Sequence, residues 1–529
     1  MNEQPRQKLR EIIARHGRSV VQDARRCEGL LRDYTGEHRR EVSVLVSALE
    51  EHVPQDLLAA PAGTPREVLL KRLARRLSDY RAISEPAAAW SVNSWALALG
   101  LIAEGELKAL EEAGAAGPAA VPSVDAAAVP RVNASADPRA DVAAVREPDG
   151  QPGTTPSHAS APHAAGASTV VVSAGGGGDY ASIGEALANV AHGGRVLVRP
   201  GLYEERIVLD KKVSVVGEGP REEIIVSGAG AGCLKSSAEA ARVAGLTLRG
   251  AAGVGAGAFA VEVQRGGLVL EDCDISSDTL SCVAVHGPDA APSIKRCRIH
   301  DGADSGLYFF DGAAGKVEDC EVYGNANVGV AVTGGARPSV SRSKVYGGAN
   351  AGVVVWEGGV CLLEGCEVYG NRLANLGVSQ GAKLTARDCH VHEGENSGVF
   401  VHLEGEAVLE GCELYGHREA EAAVTTRGRL FLSGCRVHGG NDSGVFVRDG
   451  GQALLRGCDI HDNAGSGASV GDGSVLAVVE SSIYDNARFA VEVAPRATAR
   501  VEDSDLSGNG LGPWDVGYGA EVVSERNRD

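Results

Sequence analysis

Large aromatic side chains are scarce in this chain: Phe, Trp and Tyr together make up 4% of 529 residues. An ordinary globular enzyme core rests on such side chains, so one conventional core is excluded. Positive charge is short too. A formal net charge of −19 leaves no basic surface with which to displace counterions from a polyanion, which excludes nucleic acid as a direct partner and disfavours acidic partners generally. Long apolar runs are missing: the longest, WALALGLIA from Trp95, is too short to cross a bilayer. The opening MNEQPRQKLREIIARHGRSVV is charged throughout and has no apolar h-region. The expectation is a cytoplasmic protein with no membrane partner. The twelve cysteines include no CxxC pair, which weakens the case for structural zinc, and disulfides are not expected in a reducing compartment.

What is abundant is glycine, 71 residues, which implies many tight turns. Three segments follow from composition. Residues 1–114 carry helical periodicity. In PREVLLKRLARRLSDY, Val68, Leu69, Leu73 and Leu77 share one stripe, and Thr64, Pro65 and Glu67 form a capping box with proline at the first helical position. Further helices are expected in ARRCEGLLRDYTGEHRREVSVLVSALEEHVPQDLLA and PAAAWSVNSWALALGLI, with Trp90 and Trp95 in the core, making a small all-α domain of about five helices. Residues 115–168 reduce to Ala, Pro, Val, Gly, Ser and Asp, a composition that cannot offset its chain entropy and reads as a disordered linker. Residues 169–529 hold a repeat.

That repeat is marked by Cys273, Cys297, Cys320, Ser343, Cys366, Cys389, Cys412, Cys435, Cys458, Ser481 and Ser504, spaced 24 residues once and 23 thereafter. A fixed short period predicts a solenoid whose turns bury their apolar faces only against one another. Each unit contains three alternating pieces. From Cys366 they are CEV, LGV and KLTA, placing Cys366, Val368, Leu376, Val378, Leu384 and Ala386 inward. Three short strands per turn describe a mainly β protein, a right-handed single-stranded parallel β-helix with a 23-residue period. Stacked cysteines in its thin interior act as small apolar residues, and three serine replacements argue against a metal or disulfide role. His300, Tyr323, Tyr346, Tyr369, His392, Tyr415, His438, His461 and Tyr484 follow each cysteine by three positions and predict a ladder of stacked rings rather than metal ligands. Arg298, Glu321, Lys344, Glu367, His390, Glu413, Arg436 and Asp459 form an exposed ladder of alternating sign, a candidate binding face whose charges pair vertically at about 4.8 Å.

The segment GDYASIGEALANVAHGGRVLVRPGLYEERIVLDKKVSVVGEG resembles the opening of pectinesterase-like and other pectin-lyase-fold proteins. The resemblance implies a helix covering the first turn, here capped by Asp179 and burying Ile183, Ala186, Leu187 and Val190. The later turns resemble right-handed β-helix repeats grouped as carbohydrate-binding and sugar-hydrolase modules. The helical segment resembles adaptor modules at the ends of modular bacterial proteins, which implies a protein partner docked there. Enzymes of the β-helix fold act on polysaccharides with acidic residues or calcium. The polygalacturonase-like NTD and GHG motifs are absent, and the nearest candidate catalytic group is His300, Asp301, Asp304 and Asp311 in RIHDGADSGLYFFDG, since paired carboxylates serve acid and base roles. Asp and Gly also belong at such bends for local hydrogen bonding. The first expectation is therefore a non-catalytic cytoplasmic scaffold that presents a long repeat surface to a protein or glycan, with no catalytic residues, metal or cofactor. The alternative is a polysaccharide-active lyase, hydrolase, esterase or epimerase, with calcium only in that case.

Overall fold

The computed structural model describes residues 168–229, 232–251 and 258–529, and towards the N terminus residues 4–16, 27, 30–32, 38–50, 53–54, 57, 70, 73–74, 77, 85–102 and 107. The chain divides into two compact units, Met1–Pro152 and Gly153–Asp529. In the first, described helices are α1 (Gln4–His16), α2 (Arg39–Glu50) and α3 (Glu85–Ala98). The side chain of Trp95 is fully buried and its indole N–H donates to the Leu45 carbonyl at 3.0 Å, the partner a buried indole requires. Arg6 donates to Ser94 Oγ at 2.9 Å and lies over the Trp90 ring. Leu73 and Leu77 join this core. Thr64, Pro65, Glu67, Val68 and Leu69 lie outside the described residues, as do 115–167 of the linker segment. No helix among the described residues is long and apolar enough to cross a membrane.

The second unit is a coil of three parallel sheets. Sheet I has 16 strands, from Thr169–Val172 to Glu521–Glu525; sheet II has 13, from Gly201–Tyr203 to Ser482–Tyr484; sheet III has 14, from Ile207–Leu209 to Gly512–Val516. Neighbouring strands in each sheet come from successive turns and stay in register, as in Glu367↔His390, Leu376↔Val399 and Leu384↔Ala407. Alternation sets the facing: Cys366, Val368, Leu376, Val378, Leu384 and Ala386 are all buried in one continuous core.

Between sheets I and II the chain turns sharply. The residue before each ladder position has positive φ, for example Asp319 (55°), Gly365 (59°) and Asp388 (50°), the left-handed region that Gly and Asp enter most readily. The ladder side chain ties this bend. Cys320 Sγ donates to the Glu318 carbonyl at 3.2 Å and Cys389 Sγ to the Arg387 carbonyl at 3.2 Å, while the Cys366 N–H reaches Cys389 Sγ at 3.4 Å. Ser343 reproduces both bonds, accepting from the Cys320 N–H at 3.0 Å and donating to the Ser341 carbonyl at 2.9 Å. Serine is tolerated because the position needs a small donor and acceptor as well as a small volume. The eleven cysteines of the coil are buried thiols, none joined in a disulfide. Away from the ladder, burial pushes the Cys233 and Cys361 thiols up to about 12, which makes them inert.

Helix α4 (Ile183–Asn189) closes the first turn, with Ile183, Ala186 and Leu187 buried and Val190 beside them. Its cap is Ser182, whose Oγ accepts from the Glu185 N–H at 3.1 Å, and not Asp179. The Asp179 carboxylate is already committed to the Val171 N–H at 2.8 Å. The Glu205 carboxylate supplies further acceptors to the Ile183 and Gly184 N–H groups, each at 2.7 Å, so the exposed donors of the helix start are met from the following turn.

Candidate functional site

The outward face of sheet II carries both ladders read from the sequence. The rings from His300 to Tyr484 stack turn on turn, with centroids 4.7–5.3 Å apart and planes within 14° of parallel. Each ring thus covers both faces of its neighbours and offers only edges. Beside them Lys344 pairs with Glu367 at 2.7 Å, and Glu413 with Arg436 at 2.9 Å and His390 at 3.1 Å. His392 lies within the ring stack and points away from the inward Cys389. Among the described residues no three His, Cys, Asp or Glu side chains gather as a metal site.

His300 is the most constrained of the candidates. Its Nε2 meets Asp274 at 2.9 Å and its Nδ1 meets Asp301 at 2.8 Å. The bond to Asp274 outweighs burial and raises its pKa above the ordinary value. With a carboxylate on each nitrogen, the ring has no lone pair open to a substrate. Asp304 accepts from Asn327 at 2.8 Å and Ser281 at 3.1 Å, and Asp311 stands beyond the Leu307–Phe310 strand at the opposite end. His300 and Asp301 are brought together; Asp311 is not.

Sheet III is built differently. One outward row reads Tyr308, Ala331, Val354, Gly377, Phe400, Ala423, Phe446, Ser469, each paired in register with the next. Two residues further on, the adjoining row reads Phe310, Thr333, Trp356, Ser379, His402, Thr425, Arg448, Gly471. Large side chains therefore gather on every second turn, as rungs (Tyr308 with Phe310, Trp356 beside Val354, Phe400 with His402, Phe446 with Arg448), with turns of small residues, the troughs, between. Within rungs, Tyr308 stacks on Phe310 at 4.6 Å, Phe400 leans on His402 at 4.9 Å, and Arg448 covers Phe446 at 5.7 Å. Rungs recur 46 residues apart, about 9.6 Å along the coil axis.

The interior sets this parity. At the bend from sheet II to sheet III, rung turns have Gly302, Gly348, Gly394 and Gly440, and trough turns have Asn325, Asn371, His417 and Asn463. A Cβ on Gly302 would stand 2.8 Å from Asn325 Oδ1, and one on Gly394 2.9 Å from His417 Cδ2, so each large group occupies space left by the preceding glycine. The amide answers by accepting the glycine's N–H, as Asn325 does from Gly302 at 2.9 Å and Asn371 from Gly348 at 3.0 Å. His417 and Glu421 form a fully buried pair. Asn375 donates to His417 Nε2 at 2.9 Å, which leaves Nδ1 as the donor to Glu421. Alternation ends where Asn463 is followed by Asn486, which accept and donate along one amide ladder, and the rungs end at the same place.

At the head of the rungs lies a charged group that the sequence reading missed. Glu262, on the strand Val261–Val263 of sheet III, accepts from His286 Nε2 at 3.2 Å and Gln264 at 2.9 Å, and faces Arg206 at 3.4 Å and Lys235 at 3.7 Å. Burial pushes its carboxyl up, but the bonds from His286 and Gln264 and the Lys235 charge outweigh this and hold it below the usual carboxylate value. The His286 ring stacks on Phe310 at 4.8 Å. With Nε2 fixed as the donor to Glu262, Nδ1 carries the lone pair and makes no hydrogen bond among the described residues. A carboxylate-oriented imidazole beside an aromatic shelf is an arrangement suited to acid–base chemistry. Self-similarity at 46 residues was the signal that would have found the rungs; nothing local marks Glu262 or His286.

Comparison with known proteins agrees with the coil. The family described as a right handed beta helix region matches residues 230–378, 328–426 and 378–528. Among solved structures, the mannuronan C-5 epimerase AlgE6 A-module of Azotobacter vinelandii is 15% identical (TM-score 0.36), covering 62% of this chain and 91% of that one. The periplasmic alginate epimerase AlgG is 12% identical (TM-score 0.41; 62% and 78%), and the catalytic domain of a GH87 alpha-1,3-glucanase 13% identical (TM-score 0.38; 70% of each). Likeness at this level concerns the fold. The non-catalytic scaffold expected from the sequence is corrected: the similar solved structures named above are two epimerases and a glucanase. The vertical pairing expected of the exposed ladder is present on sheet II, and sheet III is arranged otherwise.

Proposed function

The chain belongs to the right handed beta helix family, and we propose that its coil binds a polysaccharide along the outer face of sheet III and acts on it at His286. The observation that carries this reading is the regular series of aromatic rungs leading to a histidine with one open ring nitrogen. A surface that repeats in steps suits a polymer that repeats in steps. Sugar rings have flat C–H faces that pack on the negative faces of aromatic rings, and hydroxyls that bond to polar groups at the rims, such as Asp304 and Asn350. His286 is the acid–base group through Nδ1, and Glu262 is the positioning residue that fixes its tautomer.

The test is turnover of full-length protein on a panel of acidic and neutral polysaccharides, scored for new reducing ends, unsaturated uronates and released alcohols or acids. His286→Ala should lower kcat by roughly 10²–10⁴, the usual worth of a general acid–base group. Glu262→Gln should lower kcat less and displace the acidic limb of its pH profile, a readout that a merely structural role would leave in place. Turnover that survives His286→Ala undiminished would remove the assignment.

A further inference from the structure

The charges along the rungs narrow the substrate, on the premise that sheet III is the polysaccharide face. Across the turns that present Tyr308, Phe310 and Trp356, residues 303–315, 326–336 and 349–359 contain no Lys or Arg. The charged side chains there are the carboxylates Asp304, Asp311 and Glu357. Asp304 is hydrogen-bonded to Asn327, and Glu357 accepts from Thr333 at 2.8 Å, which fixes it at the trough edge. At the head, Arg206 and Lys235 are drawn to Glu262. A polyuronate laid along these turns would meet its own sign of charge, in a protein already carrying −19; the cation Arg448 stands only at the last rung.

We infer that the sheet III lane takes a sugar chain without free carboxylates, neutral or bearing amino groups, and reads it two sugar residues at a time. The pitch follows from the rungs. Two turns, about 9.6 Å, is close to the length of two sugars in an extended chain, so every second sugar meets a rung. The inference also restricts the chemistry. Elimination and C5 epimerisation both begin by removing a C5 proton that a carboxyl group makes acidic, and a sugar without one has no such proton. Hydrolysis remains: water adds across a glycosidic or acyl-ester bond, its hydroxyl bonding to carbon while the proton taken by His286 Nδ1 passes to the leaving oxygen.

The experiment is calorimetric titration of the full chain, at low and high salt, with gluco- and chito-oligosaccharides and with oligogalacturonates and oligomannuronates of matched length. Uncharged or amino chains should bind at least about tenfold more tightly than the uronates, a difference of roughly 1.4 kcal/mol, with affinity rising at every second added sugar. Trp356→Leu should weaken binding about tenfold. Preferential binding of uronates would overturn the inference and leave the polysaccharide reading standing. Binding of no glycan at all would remove both. Concentration-dependent dimerisation abolished by Trp356→Leu would assign the lane to a second copy of the chain and overturn the inference as well.

Discussion

Sheets II and III rise through the same turns with the same spacing, yet their outer faces have opposite characters. On sheet II each ring rests on the ring of the adjacent turn at about 5 Å, and acidic and basic side chains close on one another. On sheet III the large residues from Tyr308 to Arg448 alternate with turns of small ones, and the rings meet a partner in the same turn, as Tyr308 with Phe310, or in another turn, as His286 with Phe310 and Tyr308 with Trp356. The first face has used its interactions internally and contributes stiffness. The second keeps aromatic surface half-buried and available. A row with a ring in every turn satisfies itself, whereas one with large side chains only in every second turn leaves its rings without that continuous stack.

That contrast can be tested from the interior outward. Glu421→Ala leaves the buried His417 Nδ1–H and backbone N–H without their acceptor and should cost about 1–3 kcal/mol for each orphaned donor in chemical unfolding, more than any change on either outer face. The double change His417→Asn with Glu421→Gly, which rebuilds the Asn463 and Gly467 pattern, should cost much less. An equal loss in both would mean that the pair does not hold the parity of the turns. Next come the rings. Tyr346→Ala should lower stability by about 0.5–1.5 kcal/mol, the worth of an aromatic contact, with glycan affinity unchanged, while Trp356→Leu should do the reverse. If both substitutions affect the same property, the two faces are not distinct.

Acidity separates the faces again. His300 on sheet II has its pKa raised by Asp274, whereas burial of His402 on sheet III pushes its imidazole down to about 4. With an unfolded value of ~6.5, the His300 contribution is fully present below that pH and disappears as pH rises through its higher folded value. His402 acts oppositely, because the unfolded chain takes up a proton first and stability falls as pH drops from ~6.5 towards 4. Proton NMR of the two rings should show titrations displaced in opposite directions, and thermal melts of His300→Gln and His402→Gln should lose the corresponding limbs of the pH dependence. The smallest effect belongs to Lys344→Ala, which removes an exposed pair with Glu367 and should change stability by roughly 0–1 kcal/mol, less at high salt.

The coil, its three strands per turn and sheet II from Asp274 onward could be read from the sequence, because cysteine, charge and ring recur at one fixed spacing. The N-terminal cap was legible as a helix and misassigned in its capping residue: Ser182, three residues before Glu185, competes with Asp179, and only the neighbouring strand reveals that Asp179 is occupied. Sheet III was not legible at 23 residues, since a row such as Tyr308, Ala331, Val354, Gly377 looks like random variation until every second member is compared. The alternating sign of Arg298, Glu321, Lys344 and Glu367 already carried that doubled period, but repulsion between like charges explained it without reference to the other sheets. Glu262 and His286 converge through register alone, as Glu262↔Ala284 places His286 within reach, and no spacing in the chain announces them.

The glycine and asparagine that alternate inside the bends also fix the unit in which such a molecule can change length. Insert or delete one turn and the strands still pair, but two glycines or two amides become neighbours and every rung beyond that point shifts to the wrong level. Insert or delete two, and floor, bend and lane all meet again. The inheritable module is the 46-residue pair, from which longer or shorter coils can be made as a rope is lengthened by whole twists.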